Sequence, residues 1–215
     1  MRARCALLNY SLLTTNYSLP LKRGLSMKKV LAVLAVMCLV SALGFAKAQE
    51  DREFIFKTGL QAQGIFSADG DKENTNPGIS FGVEYFKYFN NIVAIGGGMN
   101  YDLPRDFKDD SIKGSLSFIP FYASVKVRMP LHGLENNYPF AAAKLGYSAF
   151  MSDCDWMRTS SGGLYAGLSA GYCIGALFLE ASYSINNLSY KTYLSTKEIS
   201  STYSTIAVYV GVKID

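Results

Sequence analysis

From Ile206 to Ile214 the chain reads IAVYVGVKI, and every second residue is aliphatic: Ile206, Val208, Val210, Val212 and Ile214. Successive side chains of a strand point to opposite faces, so these five share one face while Thr205, Ala207, Tyr209, Gly211 and Lys213 share the other. The same two-residue period recurs seven more times. It predicts strands over Phe54–Phe66, Ile79–Phe89, Ile92–Tyr101, Leu116–Met129, Tyr138–Phe150, Gly163–Cys173, Leu177–Ile185 and Tyr203–Ile214. In the first of them Phe54, Phe56, Leu60, Ala62 and Phe66 are assigned to one face, with Lys57, Gly59, Gln61 and Gln63 on the other. Beyond Gln49 no apolar run is long enough for a spanning helix. If this region crosses a membrane, it must do so as a closed barrel, because only helices and closed barrels satisfy every backbone polar group in hydrocarbon.

The formal net charge of +4 belongs to the leader. Arg2, Arg4, Lys22, Arg23, Lys28, Lys29 and Lys47 precede Gln49 and no acid does, whereas 14 basic residues face 17 acidic ones afterwards. That balance gives nucleic acid no basic patch, and none is expected as a partner. Within MKKVLAVLAVMCLVSALGFAKAQE, Lys28 and Lys29 form a positive region, Val30 to Leu43 a short apolar one, and Ala46-Lys47-Ala48 a small-x-small cleavage site. Residues 27–48 therefore read as a cleaved signal peptide and 1–26 as an overcalled start, with Met27 the initiator, or as an extension of the leader. Residues 49–215 form one domain. Cys5 and Cys38 would leave with the leader. Cys154, in a loop, and Cys173, about ten strand residues away at roughly 30 Å, are not expected to bridge.

Connections fall into two alternating classes. Strands two and three are joined by Asn90-Asn91, four and five by PLHGLENN, and six and seven by IGA. The others are longer and polar: SADGDKENTNP, DLPRDFKDDSIKG, MSDCDWMRTSSG and a Ser/Thr/Lys-rich segment near residues 188–202. Short turns at one end and long loops at the other are expected of an antiparallel up-and-down barrel in an outer membrane. A soluble barrel would also have one apolar face, but it would need a hydrophilic exterior. The second face here is instead small, with Gly96, Gly98, Gly146, Gly167, Ser169 and Gly171, and eight strands leave a bore that such side chains can fill.

The inward face carries Lys57, Lys126, Arg128, Lys144 and Lys213 with Glu84 and Glu180, which are expected to pair as interior glue; a polar ion path is the competing reading. Two aromatic girdles are expected, from Phe54, Phe56, Phe89 and Tyr172 at the tight-turn end and from Phe66, Tyr101, Tyr147 and Tyr183 at the loop end.

The stretch NYPFAAAKLGYSAF followed by GGLYAGLSAGYCIGALFLEASYSI resembles the small outer-membrane β-barrel domain family across essentially all of residues 49–215. The resemblance implies a Gram-negative-type outer membrane, insertion by the barrel-assembly machinery, and roles from envelope structure to adhesion and immune evasion. Many members end on an aromatic residue, whereas this chain ends Lys213-Ile214-Asp215.

Chemistry has little support. The one histidine, His132, sits in the tight-turn segment PLHG, away from the Ser and Asp residues of the long loops, so no base meets a nucleophile. Zinc wants several Cys or His ligands. Asp69, Asp71, Glu73, Asp102, Asp106, Asp109 and Asp110 read as solvated loop charge, with collection of divalent cations the competing reading, and no phosphate-binding glycine motif occurs. The sequence thus predicts a non-catalytic, cofactor-free and monomeric barrel embedded in outer-membrane lipid. Its four long loops would meet an external surface ligand; the alternative is a narrow channel for small solutes.

Overall fold

The computed structural model describes residues 52–68, 71–109, 114–129, 137–154, 157–192 and 195–214. The leader with its cleavage pattern, His132, Asp69 and Asp110 lie outside the described residues. Among the described residues eleven strands follow one another: β1 (Arg52–Gln61), β2 (Ile65–Ala68), β3 (Asp71–Asn74), β4 (Gly78–Tyr88), β5 (Val93–Asp106), β6 (Ser115–Arg128), β7 (Asn137–Ser152), β8 (Met157–Ser161), β9 (Gly163–Ile174), β10 (Leu177–Thr192) and β11 (Ser195–Ile214).

Eight of them close into a ring of antiparallel ladders, β1 to β4 to β5 to β6 to β7 to β9 to β10 to β11 and back to β1. Closure removes the edges from these eight strands. The other three strands prolong the ring at the long-loop end. β2 pairs with β11 above β1, β3 pairs with β2, and β8 pairs with β10 above β9.

The tight turns have local causes. At Phe89–Ile92 the Asn90 side-chain oxygen accepts from the backbone N–H of Ile92 at 2.8 Å and of Val93 at 2.7 Å, which folds the chain back on itself. Between β9 and β10 the reversal needs a positive φ, and Gly175 supplies it at 58°. The Asn137 side chain accepts from the Gly175 N–H at 2.9 Å and holds this turn against the start of β7.

Inside and outside follow from the alternation. Ile206, Val208, Val210 and Val212 point outward and are exposed, together with Leu60, Ile95, Leu145, Leu168 and Leu179 from other strands. Ala207, Tyr209 and Lys213 point inward and are buried. An apolar exterior on this scale suits hydrocarbon rather than water.

Three expectations change. The first predicted strand is interrupted at residues 62–64, and the break shifts its phase, so that Phe66 turns inward and is buried instead of joining an outer girdle. The four connections expected as long loops carry strand: β3 lies in the first, β5 runs on to Asp106 in the second, β8 lies in the third, and in the segment near 188–202 β10 runs to Thr192 and β11 begins at Ser195. Its alternation persists with the sense reversed: Leu188, Tyr190 and Tyr203 face in while Asn187, Lys191 and Glu198 are exposed. Beyond the apolar belt the exterior meets water, so the same ladder buries its apolar residues inside. Cys154, placed by the sequence in an open loop, is buried in that interior and donates weakly to the Ser115 carbonyl at 3.7 Å. No disulfide joins Cys154 to Cys173.

Candidate functional site: the filled lumen

The barrel interior is packed in layers. At the tight-turn end Ile55, Phe86, Tyr88, Ala94, Tyr138, Phe140, Cys173 and Phe178 form one buried cluster. Lys126 enters this cluster with its ammonium 4.6 Å from the Phe140 ring centre and 5.1 Å from that of Phe86, and bonds Glu53 at 2.7 Å. The Tyr88 hydroxyl donates to the second Glu53 oxygen at 2.6 Å. Cation, carboxylate and aromatic faces thus satisfy one another.

Above it lies a ring of alternating charge. Lys57 lies 2.6 Å from Glu84 and 3.0 Å from Glu180; Lys144 lies 2.8 Å from Glu84 and 2.9 Å from Glu180. Each cation contacts both anions, and the four side chains are almost wholly buried with no net charge. Tyr122 donates to Glu84 at 2.6 Å and stacks on Tyr165. Two lysines and two glutamates from β1, β4, β7 and β10 therefore tie opposite parts of the wall together.

Toward the long-loop end Gln61 donates to Asp102 at 2.7 Å, and Arg105 donates to the Tyr203 hydroxyl at 2.5 Å. Over them sits a second apolar cluster that includes Phe66, Phe107, Leu116, Phe118, Phe150, Leu188 and Tyr203. Phe118 stacks on Tyr203 at 4.7 Å between ring centres.

Of the seven sequence-predicted lumen charges, Lys57, Glu84, Lys144 and Glu180 meet in the ring. Lys126 belongs to the lower layer. Arg128 stands at the tight-turn mouth, 3.9 Å over the Tyr88 ring, and donates to the Asn91 carbonyl at 2.9 Å. Lys213 is buried near Tyr138, 5.5 Å from its ring centre. Sequence reasoning missed Glu53, which lies in phase with Ile55 and Lys57 one step beyond the predicted strand start. It also left Asp102 as solvated loop charge, whereas Asp102 is buried in phase with Asn100 because β5 extends past Tyr101.

Such a lumen inside a closed wall with an apolar exterior is the architecture of a membrane barrel. The sequence profile of the outer membrane protein beta-barrel domain matches residues 32–213. The chain belongs to that family. It is an outer-membrane protein, and the family's arrangement puts tight turns and chain ends on the periplasmic side and the extended strand ends outside. Solved structures with a similar architecture include OprG of Pseudomonas aeruginosa, at 12% identity over 78% of this chain and 98% of that one, with a TM-score of 0.46. Ail, the attachment invasion locus protein of Yersinia pestis, is similar at 18% identity over 77% and 100%, with a TM-score of 0.45. Neisserial surface protein A is similar at 15% identity over 75% and 99%, also at 0.45. No curated protein matches the sequence significantly.

Proposed function

We propose that this protein is a non-catalytic, non-conducting barrel of the outer membrane that serves the envelope and meets external surfaces through its projecting strand ends. The observation that carries this reading is the lumen: two apolar and aromatic clusters enclose a neutral ring of buried ion pairs. An ion crossing it would have to part Lys57 and Lys144 from their carboxylates in a low-dielectric bore, and an unpaired buried charge is strongly unfavourable. What remains available for interaction is the outer rim, where β10 and β11 present Asn187, Lys191, Glu198 and Ser200 to water. Assembly as a monomer by the barrel-assembly machinery belongs to the same proposal.

A narrow channel is the second reading. It is favoured by the Ser124, Ser148, Ser169 and Asn186 side chains, buried polar groups that have no protein hydrogen-bond partner among the described residues and that water would satisfy. Conductance of the purified barrel in planar bilayers separates the two. Steady solute-selective current would establish the channel. A silent barrel whose attachment to host or abiotic surfaces falls when the β10–β11 hairpin is shortened between Asn187 and Thr202, with heat-modifiability retained, supports the surface role.

A further inference from the structure

The outward face of the barrel is not uniform. On β1, β4, β5 and β6 a groove of about 290 Å³ opens toward the hydrocarbon, lined by Phe54, Val83, Tyr85, Gly97, Met99 and Phe121. Its depth has a simple origin. Phe54, Tyr85, Gly97 and Ala123 are laterally paired across four strands, so two aromatic rings stand beside a glycine and an alanine in one row. A Cβ at Gly97 would come within 2.9 Å of the Tyr122 carbonyl oxygen, which keeps that position bare.

One row toward the tight turns, on the same outward face, Arg52 and Lys87 are directly paired across β1 and β4. Both are exposed, and neither has an acidic partner among the described residues. Like charges opposite one another weaken an antiparallel ladder. They are tolerated where an anion neutralises both. The cation row and the Phe54–Tyr85 row are about 7 Å apart, and the Val83–Met99–Phe121 row lies about 7 Å further. The pairing of a two-cation head with an apolar trough, at the periplasmic edge of the hydrocarbon belt, specifies an amphiphile: an anionic phosphate ester that carries an acyl chain.

We propose that this face is a binding site for one anionic glycerophospholipid of the periplasmic leaflet. Arg52 and Lys87 hold its phosphate, and an acyl chain lies along Tyr85 and Gly97 toward Phe121. Arg suits the task because its guanidinium fork can donate two parallel bonds to a phosphate. The proposal is independent of whether the lumen conducts and of what the outer rim binds.

The test is native mass spectrometry of the barrel extracted from outer membranes in mild detergent and titrated with phosphatidylglycerol or phosphatidylcholine of matched chains. The expected result is a single retained phosphatidylglycerol, preferred over phosphatidylcholine by about tenfold or more. The double variant Arg52→Gln/Lys87→Gln should lose that preference. Val83→Phe, which fills the groove, should lower retention of both lipids, while Lys108→Gln, exposed at the opposite end, leaves retention of both lipids unchanged. Heat-modifiability on gels verifies that each variant is folded. Undiminished preference in the double variant, or an equal loss in Lys108→Gln, overturns the site. Retention unaffected by Val83→Phe, or competition by inorganic phosphate as effective as by the lipid, overturns the acyl-chain half and leaves no lipid site.

Discussion

Lys57 and Glu180 lie 123 positions apart in the chain and meet at 3.0 Å inside the barrel, each also bonded to the other ion pair of the ring. Because β11 separates their strands in the wall, the contact fixes the barrel's cross-section rather than one ladder. Removing a single member leaves two like charges facing one opposite charge with little water to screen them. Glu180→Gln is therefore expected to destabilise the folded barrel by about 3–5 kcal/mol. The double change Lys144→Met/Glu180→Leu keeps the ring neutral and should cost clearly less than the sum of the single changes. Urea unfolding in lipid vesicles measures this, and additive losses would show that the four groups do not act as a unit.

A smaller effect is expected at the outer polar layer. Arg105 donates to the Tyr203 hydroxyl, and its Nε and second Nη have no protein partner among the described residues. Tyr203→Phe keeps the ring that stacks on Phe118 and deletes the acceptor. A buried charged donor without its acceptor costs about 1–3 kcal/mol, more than the ring substitution alone would predict. Parallel unfolding of Tyr203→Phe and of Tyr203→Phe/Arg105→Met tests this, since removing the arginine should recover part of the loss.

The eight-strand ring was legible because an apolar outside and small or polar groups inside impose a period of two on every strand, and the small second face separates it from a soluble barrel. The comb from Ile206 to Ile214 appears in the structure as it reads in the sequence. Legibility ended at the edge of the hydrocarbon. Beyond it the exterior becomes polar, so Ser189, Lys191 and Ser200 resemble loop composition although they belong to long strands. The apolar partners that reveal them, Leu188 and Tyr190, face inward instead of outward. Phe66 was misplaced for a related reason, because a three-residue interruption changes phase without leaving a mark in composition. Within the lumen, alternation identifies which charges point inward but carries no information on which of them meet. Pairing depends on the stagger of strands around the ring, and only the closed register brings Glu84 within reach of both lysines.

The two cysteines test the outer extension. Cys154 and Cys173 are both buried, one in the cluster at the long-loop end and one in that at the tight-turn end. A membrane-impermeant maleimide applied to whole cells is expected to label neither. Denaturation should expose both, and mass spectrometry should count two additions. Rapid labelling of Cys154 on intact cells would mean that the strand extensions are open in the membrane.

The comb at the end of the chain provides the direct test of what surrounds the barrel. Val208 and Leu145 point outward, each more than half exposed, while Ser182 is paired with the inward, buried Ala207. Arginine at position 208 or 145 would place a charge in hydrocarbon and is expected to cost about 2–4 kcal/mol near the midplane and less toward either interface. A stability loss alone does not identify the medium, since a charge forced into a protein core would also be destabilising. Accessibility does. With Cys154 and Cys173 replaced by serine, nitroxide labels at Val208→Cys and Leu145→Cys should relax rapidly with oxygen, which concentrates in the acyl region, and weakly with a water-soluble nickel chelate. A label at Ser182→Cys should respond weakly to both, because the packed lumen admits neither. Strong nickel relaxation at 208 and 145 would place these residues in water and contradict the lipid-facing wall on which the lumen, the outer rim and the phospholipid groove all depend.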